Sequence, residues 1–283
     1  MSPLATFALT AIVLTGVFGL LIGSFVNVVV YRVPAGISVV SPRSACPRCG
    51  SPVRSFDNIP VLSWLVLGGR CRDCREPIAA RYPLVESAVG LAFGLVGWWR
   101  WPEISAAAAH GGPAVLGQLL ILVAFLYLAA ISAVLALIDI ETHTLPNVIV
   151  LPAYVVGAVL LGAGALLTGR PEALLSAGIG AVAAFVLYLV LALAVPGGMG
   201  FGDVKLAGVI GLFLGFLGWA PLFVGVFAAF VLGGVFGVVL RAMRRSRRGG
   251  GIPFGPWMLA GAWLGAVAGS SIVSAYLALL GLN

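Results

Sequence analysis

The chain has 283 residues, 61% of them hydrophobic and only 9% charged, with a mean hydropathy of +1.14, which excludes an ordinary soluble domain. The net charge of +7 would suit a nucleic-acid partner, but the basic residues gather in two loops. Arg32, Arg43, Arg48, Arg54, Arg70, Arg72, Arg75 and Arg81 share one, and Arg241, Arg244, Arg245, Arg247 and Arg248 share the other. That clustering is the positive-inside signal of a membrane protein, with some pull toward anionic lipid heads, and no aromatic-basic surface accompanies it. Membrane lipid is expected as a partner and nucleic acid is not.

Apolar runs fall at about 4–30, 83–99, 115–138, 146–168, 173–195, 204–219, 221–240 and 256–281, each near or above the length needed to cross a bilayer. The expected fold is therefore an all-α polytopic membrane protein with about eight transmembrane helices. The first run follows no basic segment and precedes no small-residue cleavage site, so it reads as a retained helix rather than a signal peptide. Eight crossings with the N-terminus outside place both arginine-rich loops in the cytosol, leaving Arg100 and Arg170 outside. The sixth run is short and is read as a tilted or locally thinned crossing. Gly90-xxx-Gly94 and Gly261-xxx-Gly265-xxx-Gly269 line up small residues that let helices approach closely in lipid.

All four cysteines lie in the first cytosolic loop, as Cys46-Pro-Arg-Cys49 and Cys71-Arg-Asp-Cys74. Two Cys-x-x-Cys knuckles at this spacing predict a tetrahedral zinc site. A disulfide framework is disfavoured in a reducing cytosol, and a loop this short offers no thioredoxin-like fold. Four thiolates leave no open coordination position, so the zinc is expected to be structural.

Two aspartates stand where apolar runs meet polar loops. Asp139 ends the third run, ahead of Glu141, His143 and Leu145-Pro146-Asn147; Asp203 closes Gly198-Met-Gly200-Phe-Gly202-Asp203 and opens the sixth. The threading puts both at the cytosolic edge. Ionisable groups at membrane depth are functional candidates, and two carboxylates are the minimum equipment for metal-free acid–base hydrolysis, one ionised while the other holds the proton. Asp203 starts a helix, whose positive dipole end favours the anion, and Asp139 ends one, which makes Asp203 the expected base and Asp139 the acid. Gly200 and Gly202 admit close backbone approach. Lys205 is a further candidate, to tune Asp203 or contact substrate, although a snorkelling lysine reads equally well. Glu141 faces a different side of its helix, and His143 and His110 carry no constellation. Taken alone, Asp203 also reads as a helix cap and Asp139 as a solvated interfacial acid.

Together these features resemble the bacterial type IV prepilin leader peptidases that also act as N-methyltransferases. The match includes Gly23-Ser24-Phe25-Val26-Asn27, the cysteine pairs, Asn58-Ile59-Pro60-Val61-Leu62-Ser63-Trp64-Leu65 and Arg81-Tyr82-Pro83-Leu84-Val85-Glu86. It continues through Asp139 with Leu145-Pro146-Asn147, Gly200-Phe-Gly202-Asp203-Val-Lys205 and Ile252-Pro253-Phe254-Gly255-Pro256. The resemblance implies that Asp139 and Asp203 form the catalytic pair of a membrane aspartic endopeptidase. It implies prepilin or pseudopilin substrates of type IV pilus or type II secretion systems, cut on the cytosolic side of the bacterial inner membrane. It further implies methylation of the new N-terminus with S-adenosylmethionine. Some members carry an acid where this chain has Asn147. No glycine-rich fingerprint marks the donor site, so its residues stay unassigned. The expected domains are a first helix at 1–30, a zinc-binding loop at 31–82 associated with methyl transfer, and a peptidase domain at 83–283. A proton-coupled transporter, a non-catalytic zinc-bearing scaffold and a peptidase of broader signal-peptide type remain open alternatives.

Overall fold

A computed structural model describes residues 3–195, 199–242 and 253–282. Arg244, Arg245, Arg247 and Arg248 of the second basic loop, and Gly198 and Ile252 of the two glycine- and proline-bearing motifs, lie outside the described residues. The described elements are helical, with only two isolated β-bridges. Eight long helices carry the chain: α1 (Pro3–Arg32), α3 (Arg81–Ala107), α4 (Gly112–Thr142), α5 (Asn147–Leu167), α6 (Glu172–Ala194), α7 (Phe201–Leu217), α8 (Trp219–Ala242) and α9 (Gly255–Leu279). The short α2 (Leu62–Val66) lies in the cysteine loop. Six of these helices, all but α3 and α7, are long and apolar enough to cross a membrane. At 17 residues α7 is short, while α3 carries Glu86, Arg100 and Glu103.

The chain divides into two compact units, Met1–Glu103 with Phe125–Val134, and Ile104–Ala124 with Leu135–Asn283. In the first unit α1 lies directly on α3. A Cβ added at Gly19 would sit 2.9 Å from Gly90 Cα, and one at Gly23 would sit 2.7 Å from Glu86 Cα. Gly94 faces Gly16 Cα, so the predicted Gly90-xxx-Gly94 pair is a packing face. Hydrocarbon offers helices no hydrophobic reason to associate, and contact at this range supplies dispersion instead.

In the second unit α7 is the most enclosed element. Twelve of its residues are buried, all of Asp203 to Phe216 except Lys205 and Leu212, because α5, α6, α8 and α9 all pack on it. The α6–α7 seam is backbone on backbone: a Cβ at Gly180 would lie 2.6 Å from Gly211 O, and one at Gly215 would lie 2.5 Å from Ser176 O. The α8–α9 seam repeats the device, with Gly261 against Gly225 O at 2.6 Å and Gly269 against Pro221 Cα at 2.7 Å for the same added atom. Tyr154 of α5 donates its hydroxyl to Lys205 O of α7 at 2.6 Å.

Gly211→Val tests the seam. The branched side chain would overlap Gly180 O, which cannot yield without moving α6, so a loss of about 3 kcal/mol is expected. Thermal unfolding in detergent measures it, and a midpoint like that of wild type would rule out a tight seam.

Candidate active site and metal centre

Asp139 lies in the last turn of α4, which ends when His143 takes a left-handed conformation (φ 52°) and gives its N–H to Asp139 O at 2.9 Å. The Asp139 side chain is 5% exposed. Its Oδ2 accepts the N–H of Gly255, at the start of α9, at 2.9 Å. Only glycine suits that position, because a Cβ there would fall 2.8 Å from the same oxygen.

Asp203 is the third residue of α7, not the cap itself. Its Oδ2 accepts the Gly200 N–H at 3.0 Å, the acidic half of a capping box, while its own N–H donates to the Gly200 backbone O at 3.0 Å. It is 9% exposed. The cap explains the local geometry of Asp203 but uses one carboxylate oxygen. Among the described residues, neither aspartate engages its other oxygen.

One side chain links the two. Leu145 lies where a Cβ on Gly202 would touch its Cβ at 3.0 Å, and where one on Gly255 would touch its Cδ2 at 3.4 Å. Asp139–Gly255, Leu145 and Gly202–Asp203 are therefore neighbours. Lys205 bonds elsewhere: its Nζ donates to Asn147 Oδ1 at 2.9 Å and stands 4.8 Å from the Phe201 ring centroid. Glu141, His143 and Asn147 are exposed, as is His110 in its own loop.

Sequence reading missed the parts played by Gly255, Leu145 and Tyr188. Tyr188 of α6 is 2% exposed and stacks with Phe230 at 5.3 Å and Phe254 at 6.3 Å. Ile-Pro-Phe-Gly-Pro, a proline-flanked glycine at a helix start, was the available signal for Gly255.

Gly255→Ala is expected to swing the Asp139 carboxylate off its backbone donor. A displacement of this size in a reacting group costs about 10²-fold, read as turnover with the thermal midpoint little changed. Full turnover would show that the hydrogen bond does not orient Asp139.

The four cysteines form a separate centre in the first unit. Their Sγ atoms lie within 4.8 Å of one another, Cys46 and Cys74 at 3.7 Å. Thiolates around a tetrahedral zinc at about 2.3 Å stand about 3.8 Å apart, so the donor set fits. The two knuckles are built alike. In one, Ala45 bridges Pro52 and Gly50 N–H reaches Cys46 O; in the other, Arg70 bridges Pro77 and Arg75 N–H reaches Cys71 O. The turn needs a left-handed residue, met by Gly50 (φ 73°) and at some strain by Arg75 (φ 62°). Hydrogen bonds from Ser51 pull the Cys49 thiol down to about 6. For Cys74 a backbone bond at Glu76 acts downward, but burial and the other three thiols outweigh it and push the group up to about 12. Such crowding resists four thiolates without a cation. Around the centre, Arg48 pairs with Glu76, Arg54 with Asp73 at 2.9 Å and Arg72 with Asp57 at 2.5 Å. The Arg72 hydrogen bonds hold the Asp57 carboxyl below its ordinary range. Part of the loop's positive charge is thus answered within the loop.

Fold and sites together define an integral membrane protein with a four-thiol cluster in a polar loop that could hold a metal ion. Residues 17–100 match the Bacterial Peptidase A24 N-terminal domain, and residues 125–238 match the Type IV leader peptidase family. The prepilin leader peptidase/N-methyltransferase of Stutzerimonas stutzeri is 34% identical, over 98% of this chain and 95% of its own length. That of Pseudomonas aeruginosa is 33% identical over 98% and 97%, and that of Neisseria gonorrhoeae 34% over 96% of each. No solved structure matches the chain. The chain belongs to the prepilin leader peptidase/N-methyltransferase family.

Proposed function

We propose that this chain removes the basic leader from type IV prepilins or pseudopilins at the cytosolic membrane face, using Asp139 and Asp203 as an acid–base pair, and then methylates the new N-terminus. Family membership supports prepilin cleavage and N-methylation, the two activities named for its relatives. The convergence of two buried carboxylates, each with one oxygen on a backbone N–H and one open, carries the peptidase reading.

In the proposed reaction a water lies between the open oxygens. Asp203, near the positive end of the α7 dipole, takes its proton as the oxygen attacks the scissile carbonyl. Asp139, in the last turn of α4, gives its proton to the leaving nitrogen. Gly200 orients Asp203 and Gly255 orients Asp139, while Gly202 leaves room for Leu145. Lys205 and Asn147 border the site. The substrate's apolar helix would lie in the bilayer with its leader reaching the polar ends of α4 and α7. Eight crossings with the N-terminus outside place these ends, and the loop at 31–82, in the cytosol of a cell whose inner membrane holds the protein. The organisation that follows is a first helix at 1–30, the loop at 31–82 with structural zinc on Cys46, Cys49, Cys71 and Cys74, and a peptidase domain at 83–283. S-adenosylmethionine is the methyl donor of the second activity.

Incubating purified enzyme in lipid with a prepilin, with and without S-adenosylmethionine, tests both halves. Intact mass and N-terminal sequencing should show the leader gone and, with the donor, one added methyl group. An intact substrate across a panel of prepilins, with folded and zinc-loaded enzyme, would overturn the reading.

A further inference from the structure

Three carboxylates are buried among the described residues: Asp139, Asp203 and Glu86. Peptide hydrolysis uses the first two. Glu86, 8% exposed, belongs to the other unit, on the first turns of α3 where that helix presses on Gly23 of α1. Its Oε2 accepts the N–H of Val61 at 2.7 Å.

Val61 is an unusual partner. Its backbone stands at φ 62°, ψ −51°, and Leu62 N–H reaches back to Pro60 O at 2.6 Å. This is a γ-turn of the rare, strained hand, and a β-branched residue is poorly suited to it. Strain of this kind persists only where surrounding structure holds it, and it collects at ligand sites. The turn falls in Asn58-Ile59-Pro60-Val61-Leu62-Ser63-Trp64-Leu65 and the acid in Arg81-Tyr82-Pro83-Leu84-Val85-Glu86. Neither segment has a part in hydrolysis.

The Glu86 carboxylate lacks a counter-charge. Among the described residues it has no ion-pair partner, and Val61 N–H is its one hydrogen-bond donor. Its second oxygen takes no hydrogen bond among the described residues. Two buried polar residues of α1 are committed elsewhere. Buried Arg32 donates to Ser38 O at 2.8 Å and Pro42 O at 2.7 Å, and the Asn27 amide donates to Tyr82 O at 3.2 Å and Gly23 O at 3.3 Å. A carboxylate withdrawn from water calls for a cation, and among the described residues this one has none.

We propose that Glu86 is the amine-binding group for methyl transfer, holding the N-terminal ammonium of the leaderless peptide. The inference rests on the methyltransferase reading above. The open oxygen pairs with the ammonium and takes one proton from it, leaving a nitrogen lone pair. That lone pair forms a bond to the methyl carbon of the sulfonium donor as the carbon–sulfur bond breaks and its electron pair stays on sulfur. The product is a secondary ammonium, and the Glu86 proton passes to solvent. The Val61 bond fixes the carboxylate's orientation while the other oxygen works.

E86Q separates this role from that of a latch, because the glutamine Oε1 can still accept the Val61 N–H. The probe is a synthetic leaderless peptide with a free N-terminal amine, beside its N-acetylated copy, titrated onto the full chain in lipid. Wild type should favour the free amine by at least about 30-fold, the scale for one partner of a buried charged pair, and E86Q should bind both alike. Methyl incorporation by E86Q should fall by a similar factor, with leader removal reporting that the variant is folded. If E86Q alone does not fold, V61G/E86Q takes its place, since glycine adopts the turn without strain and no longer needs the latch. An amine preference that survives the loss of the charge, or methylation at the wild-type rate, would overturn the assignment. Wild type that adds no methyl group would instead sink the methyltransferase reading, while the amine preference still decides Glu86.

Discussion

Asp139→Asn and Asp203→Asn are each expected to lower leader removal by about 10²–10⁴-fold, the range for loss of a positioned acid or base. Asparagine nearly matches aspartate in shape and can still accept the Gly255 or Gly200 N–H that now holds Oδ2. Backbone anchoring should therefore survive and only proton transfer is lost. The double variant should be no slower than the slower single, because groups acting as one unit are not additive. Prepilin cleavage followed by intact mass, beside zinc content and thermal midpoint, provides the measurement. Near wild-type turnover in either variant would reduce that aspartate to the capping role its geometry also satisfies.

The second large effect concerns the thiol cluster. Structural zinc contributes about 10–16 kcal/mol on binding, whereas exposed ion pairs such as Arg48–Glu76 and Arg54–Asp73 contribute about 0–1 kcal/mol each. The metal, not the arginines, should hold the two knuckles together. Purified protein is expected to carry one zinc per chain. Cys74→Ser should abolish that zinc and open the segment between the knuckles to protease at its arginines. Leader removal should persist, since the aspartates and their anchors lie in the other unit. Metal-free protein with a protease-resistant loop would exclude a structural zinc.

The class of the chain was legible from composition and run length, because crossing hydrocarbon demands long apolar helices. The predicted runs correspond to eight long helices among the described residues, six of them long and apolar enough to cross a membrane. The run read at 83–99 extends to Arg81–Ala107 and takes in three charges. α7, already short as a run, is enclosed by four helices, which apolar-run counting does not register. The thiol centre was legible for the same local reason: ligand spacing within each knuckle is set by a few residues of chain.

The amino-acid order alone marked an all-helical membrane protein, four thiols at metal-ligand spacing, and two acids at helix ends as the candidates for hydrolysis. Each of these follows from residues near one another in the chain. Tertiary structure alone decided that Gly255, 116 residues beyond Asp139, supplies its backbone donor, that Leu145 links the two acids, and that Lys205 turns to Asn147. It also drew Glu86 out of water beside a strained Val61. Periodicity and spacing encode a residue's own helix and loop. Which remote backbone N–H will meet a carboxylate depends on how closely the glycine seams let the helices approach.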